Sequence, residues 1–134
     1  MTDLTRLLAA AVDARRGAYA PYSTFTVGAA LLGRDGRVTT GANIENASYG
    51  LSMCAERNAV SAAVAGGTRQ FDAIAVAGPE GIATLPCGAC RQVLHEFAPG
   101  LRIIYTAPGA PKQTTLDRLL PDAFGPSSLD DARS

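Results

Sequence analysis

Three cysteines stand out as residues able to do chemistry: Cys54 in MCAERNA, and Cys87 and Cys90 in PCGACRQV, with no other thiol in 134 residues. Cys87 and Cys90 are spaced i and i+3, so at a helix start their Cβ atoms lie about 5 to 6 Å apart on one face. A single tetrahedral metal can bridge them, because zinc takes thiolate sulfur at about 2.3 Å. Pro86 comes immediately before, where a missing N–H costs a helix little. The free N–H groups and the positive end of the helix dipole then favour thiolates there.

Cys54 and Glu56 pose a different geometry. Residues two apart in a regular helix point to nearly opposite sides, so both serve one site only if Cys54 lies at the helix N-terminus. That brings a second helix dipole to the metal. Three thiolates and Zn²⁺ sum to minus one, a charge that opposes acidifying a bound water and must be offset by dipoles and cations. Arg57 and Arg91, each directly after a site residue, are the candidates. A carboxylate two residues from a ligand can reach a metal-bound water and move its protons, and Glu56 is that carboxylate.

A closed structural zinc site takes four protein ligands, and the chain's single histidine is His95. Five residues beyond Cys90, it stands roughly 7.5 Å along the helix axis and about 140° around it, badly placed to join the cluster. An open fourth position, as in catalytic zinc, is the favoured reading. A closed structural site, a thioredoxin-like redox pair and plainly buried cysteines stand beside it. The redox pair leaves Cys54 and Glu56 unemployed.

The elements that must position these residues follow from pattern. Leu4, Leu7, Leu8, Ala11 and Val12 fall at helical spacing before Gly17 and Pro21 stop the run. FTVGAALLG and RVTTGANIENA read as two strands joined at Asp35 and Gly36. On that reading Phe25 alternates with Val27, and Asn43 and Glu45 share one face of a strand. MCAERNAVSAAVAGG reads as a helix, FDAIAVAG as a strand buried on both faces, and CGACRQVLHEFAPG as a second helix. LRIIYTA reads as another buried strand, KQTTL as an edge strand and TLDRLL as a short helix. The order implies a three-layer α/β/α sandwich around a mixed sheet of about five strands. One domain spans 1–134, with about 125–134 as a polar, mobile tail.

Twelve basic and twelve acidic side chains cancel, with no run of like charge, so nothing is built to grip a nucleic-acid backbone. No stretch approaches the roughly 20 apolar residues of a membrane span. The N-terminal apolar run is too short for a signal peptide, and an odd cysteine count argues for reduced thiols in the cytoplasm.

With CAERNA, PCGACRQVL, YAPYSTFTVGAALL and NIENASYG in view, the chain resembles the cytidine deaminases, specifically the small homotetrameric kind with three cysteine ligands, from about residue 4 to Phe124. Three ligands with a separate glutamate and a PCxxC element is the pattern of zinc deaminases. The resemblance implies that Cys54, Cys87 and Cys90 hold one Zn²⁺ per chain, that Glu56 is the proton shuttle, and that Arg57 hydrogen-bonds the sulfurs. It implies that Phe25 packs on the pyrimidine, that Asn43 and Glu45 bind the ribose 3′-hydroxyl, and that Ala55 offers backbone groups to the base. Ala47, Tyr49 and Phe124 match positions that complete a neighbouring subunit's site in a homotetramer. The implied reaction is hydrolytic deamination of cytidine, and of 2′-deoxycytidine, in pyrimidine salvage, a zinc-activated hydroxide attacking C4.

Other readings accompany each part. Phe25 could be core, and Tyr49 an ordinary loop aromatic. A buried Glu45 needs a partner, which a ligand hydroxyl supplies. Arg69, Arg102, Arg118 and Lys112 read as solvated charges and His95 as a helix-surface or satisfied residue. The rival functions are deamination of another small amine heterocycle such as blasticidin S, editing of a nucleic acid, and a zinc-stabilised binding or scaffold module without turnover. YSTF and NIEN favour the nucleoside over the first, and zero net charge argues against the second.

Overall fold

The computed structural model describes residues 4–133. Residues 1–3 and 134 of the expected domain, the last of them part of the expected tail, lie outside the described residues. The leucine stripe at 4, 7 and 8 forms the buried face of α1 (Leu4–Ala14), which runs into a single 3-10 turn at Arg15–Gly17. A hairpin follows, β1 (Gly28–Gly33) and β2 (Val38–Ala42), then α2 (Ala55–Ala65), β3 (Phe71–Ala77), α3 (Gly88–Phe97), β4 (Arg102–Tyr105) and β5 (Lys112–Thr115). Two short helices, α4 (Leu116–Leu119) and α5 (Pro126–Arg133), close the described chain.

The strands make one mixed sheet in the order β2-β1-β3-β4-β5. Only β3 and β4 are parallel, with Ala73 opposite Arg102 and Val76 opposite Tyr105, and the other three pairings are antiparallel. The central strand β3 shows how one sequence feeds two cores. Ala73, Ala75 and Ala77 pack with Leu4, Leu7, Leu8 and Ala11 of α1, and the small side chains let that helix lie close. Ile74 and Val76 fill the opposite face with Ala55, Ala59, Val60 and Leu94 of α2 and α3. The expected three-layer sandwich with five strands is the architecture observed.

Gly41 of β2 sets the approach of α2. A Cβ there would stand 2.5 Å from the carbonyl oxygen of Ala55 and 2.6 Å from the Ala59 nitrogen, so no larger residue lets the first turn of α2 rest on the strand. That contact fixes the start of the helix that follows Cys54. The register puts Gly28, Ala42 and Ala77 side by side, and the functional site gathers beyond this end of the sheet.

Two expectations need correction. β1 opens at Gly28, so Phe25 precedes the strand instead of alternating along it. Its carbonyl and the Val27 N–H bond the side chain of Asn43, which takes the groups a ladder would use. β2 closes at Ala42, so Asn43 and Glu45 follow it in a segment held by single bridges from Ile44 to Tyr19 and to Met53. Within the polar tail, Pro126–Arg133 is helical, started by a proline whose fixed φ suits a first turn. Among the described residues no helix is long and apolar enough to cross a membrane.

Candidate metal centre

Cys54 is the residue before the first turn of α2, in extended backbone at φ −71°, ψ 151°, and Cys87 holds the same place before α3 at φ −68°, ψ 172°. The first helical bonds close on their carbonyls, from Asn58 N–H at 3.1 Å and from Arg91 N–H at 2.9 Å. Neither thiol caps its own helix, so both sulfurs face each other. Cys90, one turn into α3, is fully buried beside them. The position Cys54 needs if it is to share a site with Glu56 is therefore the position it has, and two helix N-termini converge on one cluster.

The separations fit a metal. Cys54 Sγ lies 3.8 Å from Cys87 Sγ, Cys87 Sγ lies 3.5 Å from Cys90 Sγ, and all three sulfurs fall within 4.8 Å of one another. Sulfurs bound at about 2.3 Å around a tetrahedron stand about 3.8 Å apart. Three corners of such a tetrahedron are already formed by this chain alone. Disulfide bonding would need sulfurs at about 2.05 Å, which these are not.

Electrostatics follow from the crowding. The Cys54 thiol is pulled down to about 5, first by its hydrogen bond with Cys90 and then by Arg57, against the opposing effect of burial. Cys90 is pushed up, because it gives the hydrogen bond that stabilises the Cys54 thiolate and because it is buried. Arg57 donates from Nη2 to Cys54 Sγ at 3.7 Å and to the Ser52 carbonyl at 3.3 Å. Arg91, the other candidate cation, turns away: Nε donates to the Pro86 carbonyl at 2.7 Å and Nη1 to the Leu119 carbonyl at 3.0 Å. It braces the entry to α3 and does not meet the sulfurs.

Glu56 is 4% exposed, and burial pushes its carboxyl up to about 7, with the Cys54 charge adding to the effect. It lines a cavity of about 260 Å³ with Cys54, Ala55, Cys87, Phe25, Asn43 and Glu45. Ser23, Val27, Thr84 and Leu85 complete the lining. A second concavity of about 300 Å³ shares Ser23 and Glu45 and adds Tyr22, Tyr49 and Ser52. Glu45 is not the partnerless buried acid of the sequence argument. Its Oε1 accepts the N–H groups of Tyr22 at 3.0 Å and Ser23 at 3.1 Å, and its Oε2 accepts the Ser23 hydroxyl.

Ala47 and Phe124 line neither cavity of their own chain. Phe124 is 63% exposed, its carbonyl held by Gln92 Nε2 at 2.8 Å on the outside of α3. Tyr49 is 75% exposed and meets Tyr22 edge-on with ring centroids 6.0 Å apart. His95 is half-buried, away from the sulfurs, and its Nδ1 has no hydrogen-bond partner among the described residues. Sequence reasoning passed over Ser23, Thr84 and Leu85. Ser23 stands inside YSTF, and a hydroxyl two residues before Phe25 is the signal that could have found it. Larger concavities do not compete: a cleft of about 590 Å³ at the other end of the sheet, bordered by Arg34, Gln70, Phe97 and Arg102, holds neither thiol nor buried carboxylate.

Comparison with known proteins places the chain as a whole. The family model of the cytidine and deoxycytidylate deaminase zinc-binding region matches residues 1–106. A cytidine deaminase of Halalkalibacterium halodurans is 48% identical over 131 residues, covering 96% of this chain and 99% of that protein. One from Mycobacterium tuberculosis is 47% identical over 129 residues, covering 96% and 92%. The crystal structure of a cytidine deaminase from Burkholderia pseudomallei superposes with a TM-score of 0.86 at 52% identity, over 92% of this chain and all of that one. Three sulfurs set for one tetrahedral ion and a likeness that runs the length of the fold lead to one conclusion: this chain belongs to the cytidine deaminase family of zinc-binding hydrolases.

Proposed function

We propose that the chain converts cytidine, and 2′-deoxycytidine, with one water into uridine or deoxyuridine and ammonia, a step of pyrimidine salvage. The observation that carries this is a buried carboxyl in the same cavity as two of three sulfurs set at tetrahedral separations. Cys54, Cys87 and Cys90 would hold the zinc, which would supply a Lewis acid able to make water reactive near neutral pH.

Glu56 takes a proton from the attacking water at its carboxylate, delivers it to N3 of the base as C4 becomes tetrahedral, and helps protonate the departing amine. A general acid and base working near pH 7 needs a pKa close to that, which burial provides here. Arg57 offsets the thiolate charge from outside the cavity. Phe25 offers its ring to the pyrimidine, Ala55 its backbone to the base, and Asn43 and Glu45 their remaining polar capacity to the sugar.

The single domain works as part of a homotetramer. The cavity of about 260 Å³ falls just below the ordinary range of about 300 to 1,000 Å³ for a ligand pocket. Exposed Tyr19, Tyr22, Ile44, Tyr49, Leu51 and Met53 form an apolar surface around bridged segments beside it. Ala47, Tyr49 and Phe124 are the residues this reading sends into a neighbour's site, in a cytoplasmic enzyme. The test is ultraviolet absorbance and ammonia release from zinc-loaded protein given cytidine, with Glu56→Gln alongside. Uridine from the parent and not from the variant is expected. A zinc-loaded, folded protein that releases no ammonia would sink the reading.

A further inference from the structure

The structure assigns a role to Ser23: we propose that its hydroxyl is the positioning group that aims the Glu45 carboxylate at the sugar, and so sets discrimination for the 3′-hydroxyl. The inference rests on the reading of Glu45 as a sugar ligand and goes beyond it, to the group that makes that ligand selective.

One oxygen atom serves both halves of the site. Ser23 Oγ donates to Glu45 Oε2 and accepts the N–H of Phe25 at 3.0 Å. The residue expected against the base and the residue expected against the sugar are thus tied through a single hydroxyl, and Ser23 and Glu45 are the two residues common to both concavities. The main chain of Glu45 does not depend on this bond, since its N–H is held by the Tyr19 carbonyl at 2.8 Å and neighbouring Ile44 is bridged on both sides. At Glu45, then, what Ser23 controls is the carboxylate and not the main chain. A carboxylate offers about four acceptor positions. The Tyr22 and Ser23 N–H groups occupy two on Oε1, and the hydroxyl occupies one on Oε2. One acceptor on Oε2 is left for a ligand, and its direction is set by the hydroxyl bond. The same bond is the first cause that holds the Glu45 carboxyl below its ordinary value.

The experiment measures KM and kcat for cytidine and for 3′-deoxycytidine with zinc-loaded parent, Ser23→Ala, Ser23→Thr and Glu45→Ala. Ser23→Ala is expected to raise KM for cytidine about tenfold, the usual worth of one hydrogen bond to a charged group, while kcat falls by less than about threefold. KM for 3′-deoxycytidine should rise clearly less, by about threefold at most, since only the Phe25 N–H bond is lost there and no bond to the missing hydroxyl remains to lose. Ser23→Thr keeps the hydroxyl, has room for a methyl at an exposed position, and should restore the preference. An equal rise for both substrates, or a Ser23→Thr variant as impaired as Ser23→Ala, would show a structural role and overturn the proposal. Glu45→Ala separates the two layers. If it keeps the preference for the 3′-hydroxyl, the sugar reading of Glu45 falls and the proposal with it. If it abolishes the preference while Ser23→Ala keeps it, the proposal alone falls.

Discussion

Glu45 and Asp35 lie at opposite ends of the β1–β2 hairpin and are held by the same chemistry. Each carboxylate accepts one hydroxyl and at least one backbone N–H: from Ser23 and Tyr22 at Glu45, from Thr68 and Arg37 at Asp35. Both are held below the usual carboxylate range, Glu45 first by the Ser23 hydroxyl and Asp35 first by the Arg37 N–H. The backbones differ. Beside Asp35 the chain reverses through Gly36 at φ 87°, a residue with no Cβ to resist it. Beside Glu45 it passes through Thr24 at φ 59°, where a β-branched side chain is rare. Strain of that kind persists only where surrounding bonds over-determine it, and it gathers at working sites. The thiols and Glu56 stand at the Thr24 end. One end of the hairpin holds a geometry; the other turns the chain round.

The widest separation between the ends is expected from Glu56→Gln against Asp35→Asn. Glu56→Gln should lower kcat by about 10² to 10⁴-fold, the usual contribution of a positioned proton carrier, with zinc content unchanged. Asp35→Asn, a surface change, should leave kcat within about twofold. Steady-state kinetics with metal analysis decide this, and comparable losses in the two variants would erase the contrast.

A step below in size is the coupling of thiol ionisation to metal retention. Zinc is held only by deprotonated thiols, so retention against a fixed chelator weakens as pH falls. Without metal the Cys54 thiol is held below its ordinary 9.0, first by its hydrogen bond with Cys90 and then by Arg57. A depressed acid contributes stability that is present above the unfolded value and lost as pH falls through the folded one, so a cation beside the thiolate extends retention to lower pH. Arg57→Gln removes one of the causes of that depression, so its zinc should be released at a higher pH than the parent's. Coincident release curves would remove Arg57 from the account. Cys87→Ala should lose the metal at every pH.

These two tests rest on residues whose placement was legible beforehand, and the reason is local. The Cys54–Glu56 spacing conflicts with one helical face, which forces Cys54 outside the helix, and Pro86 marks the start of α3 just as directly. The unbroken apolar run of β3 and the Asp-Gly turn carry the sheet for the same reason. What stayed hidden depends on distant partners. TFTV reads as strand by propensity, but Asn43, sixteen and eighteen residues along, takes the Val27 N–H and the Phe25 carbonyl, and Ser23 takes the Phe25 N–H. Arg91 follows a ligand as closely as Arg57 does, yet its guanidinium goes to Pro86 and to Leu119, twenty-eight residues on. The helix at Pro126–Arg133 has Leu129 as its one large apolar residue, too little for a period to be read.

A smaller effect should come from exchanging the two backbone solutions. Thr24→Gly relieves left-handed strain but frees the unfolded chain, two effects of about 1 kcal/mol that oppose each other. Stability should therefore move little while KM for cytidine rises, because the loop that presents Phe25 loosens and the Thr24 hydroxyl loses its bond to the Ser23 carbonyl. Gly36→Ala has open space for its Cβ, so its penalty is conformational only, about 1 to 2 kcal/mol, with KM unchanged. Thermal melts set beside KM values would show this crossing, and parallel behaviour of the two variants would contradict it.

The smallest effect is expected at the turn itself, from Thr68→Val. The substitution keeps the shape of a buried side chain and removes only the hydroxyl that Asp35 accepts at 2.9 Å. Asp35 should then titrate higher than in the parent but remain below its ordinary 3.8, because the Arg37 N–H is the larger cause and is untouched. The sign of the linkage follows. A carboxylate with a depressed folded pKa contributes stability above its unfolded value and loses it as pH falls through the folded one, so the parent's advantage over Thr68→Val is present at neutral pH and fades in acid, below the ordinary carboxylate range. NMR titration of the Asp35 carboxyl with denaturant melts on both proteins measures the two sides. An Asp35 that returns fully to its ordinary value would mean the backbone N–H holds nothing alone, and the likeness between this turn and the Glu45 loop, where N–H groups and a hydroxyl share the work, would then fail at the turn.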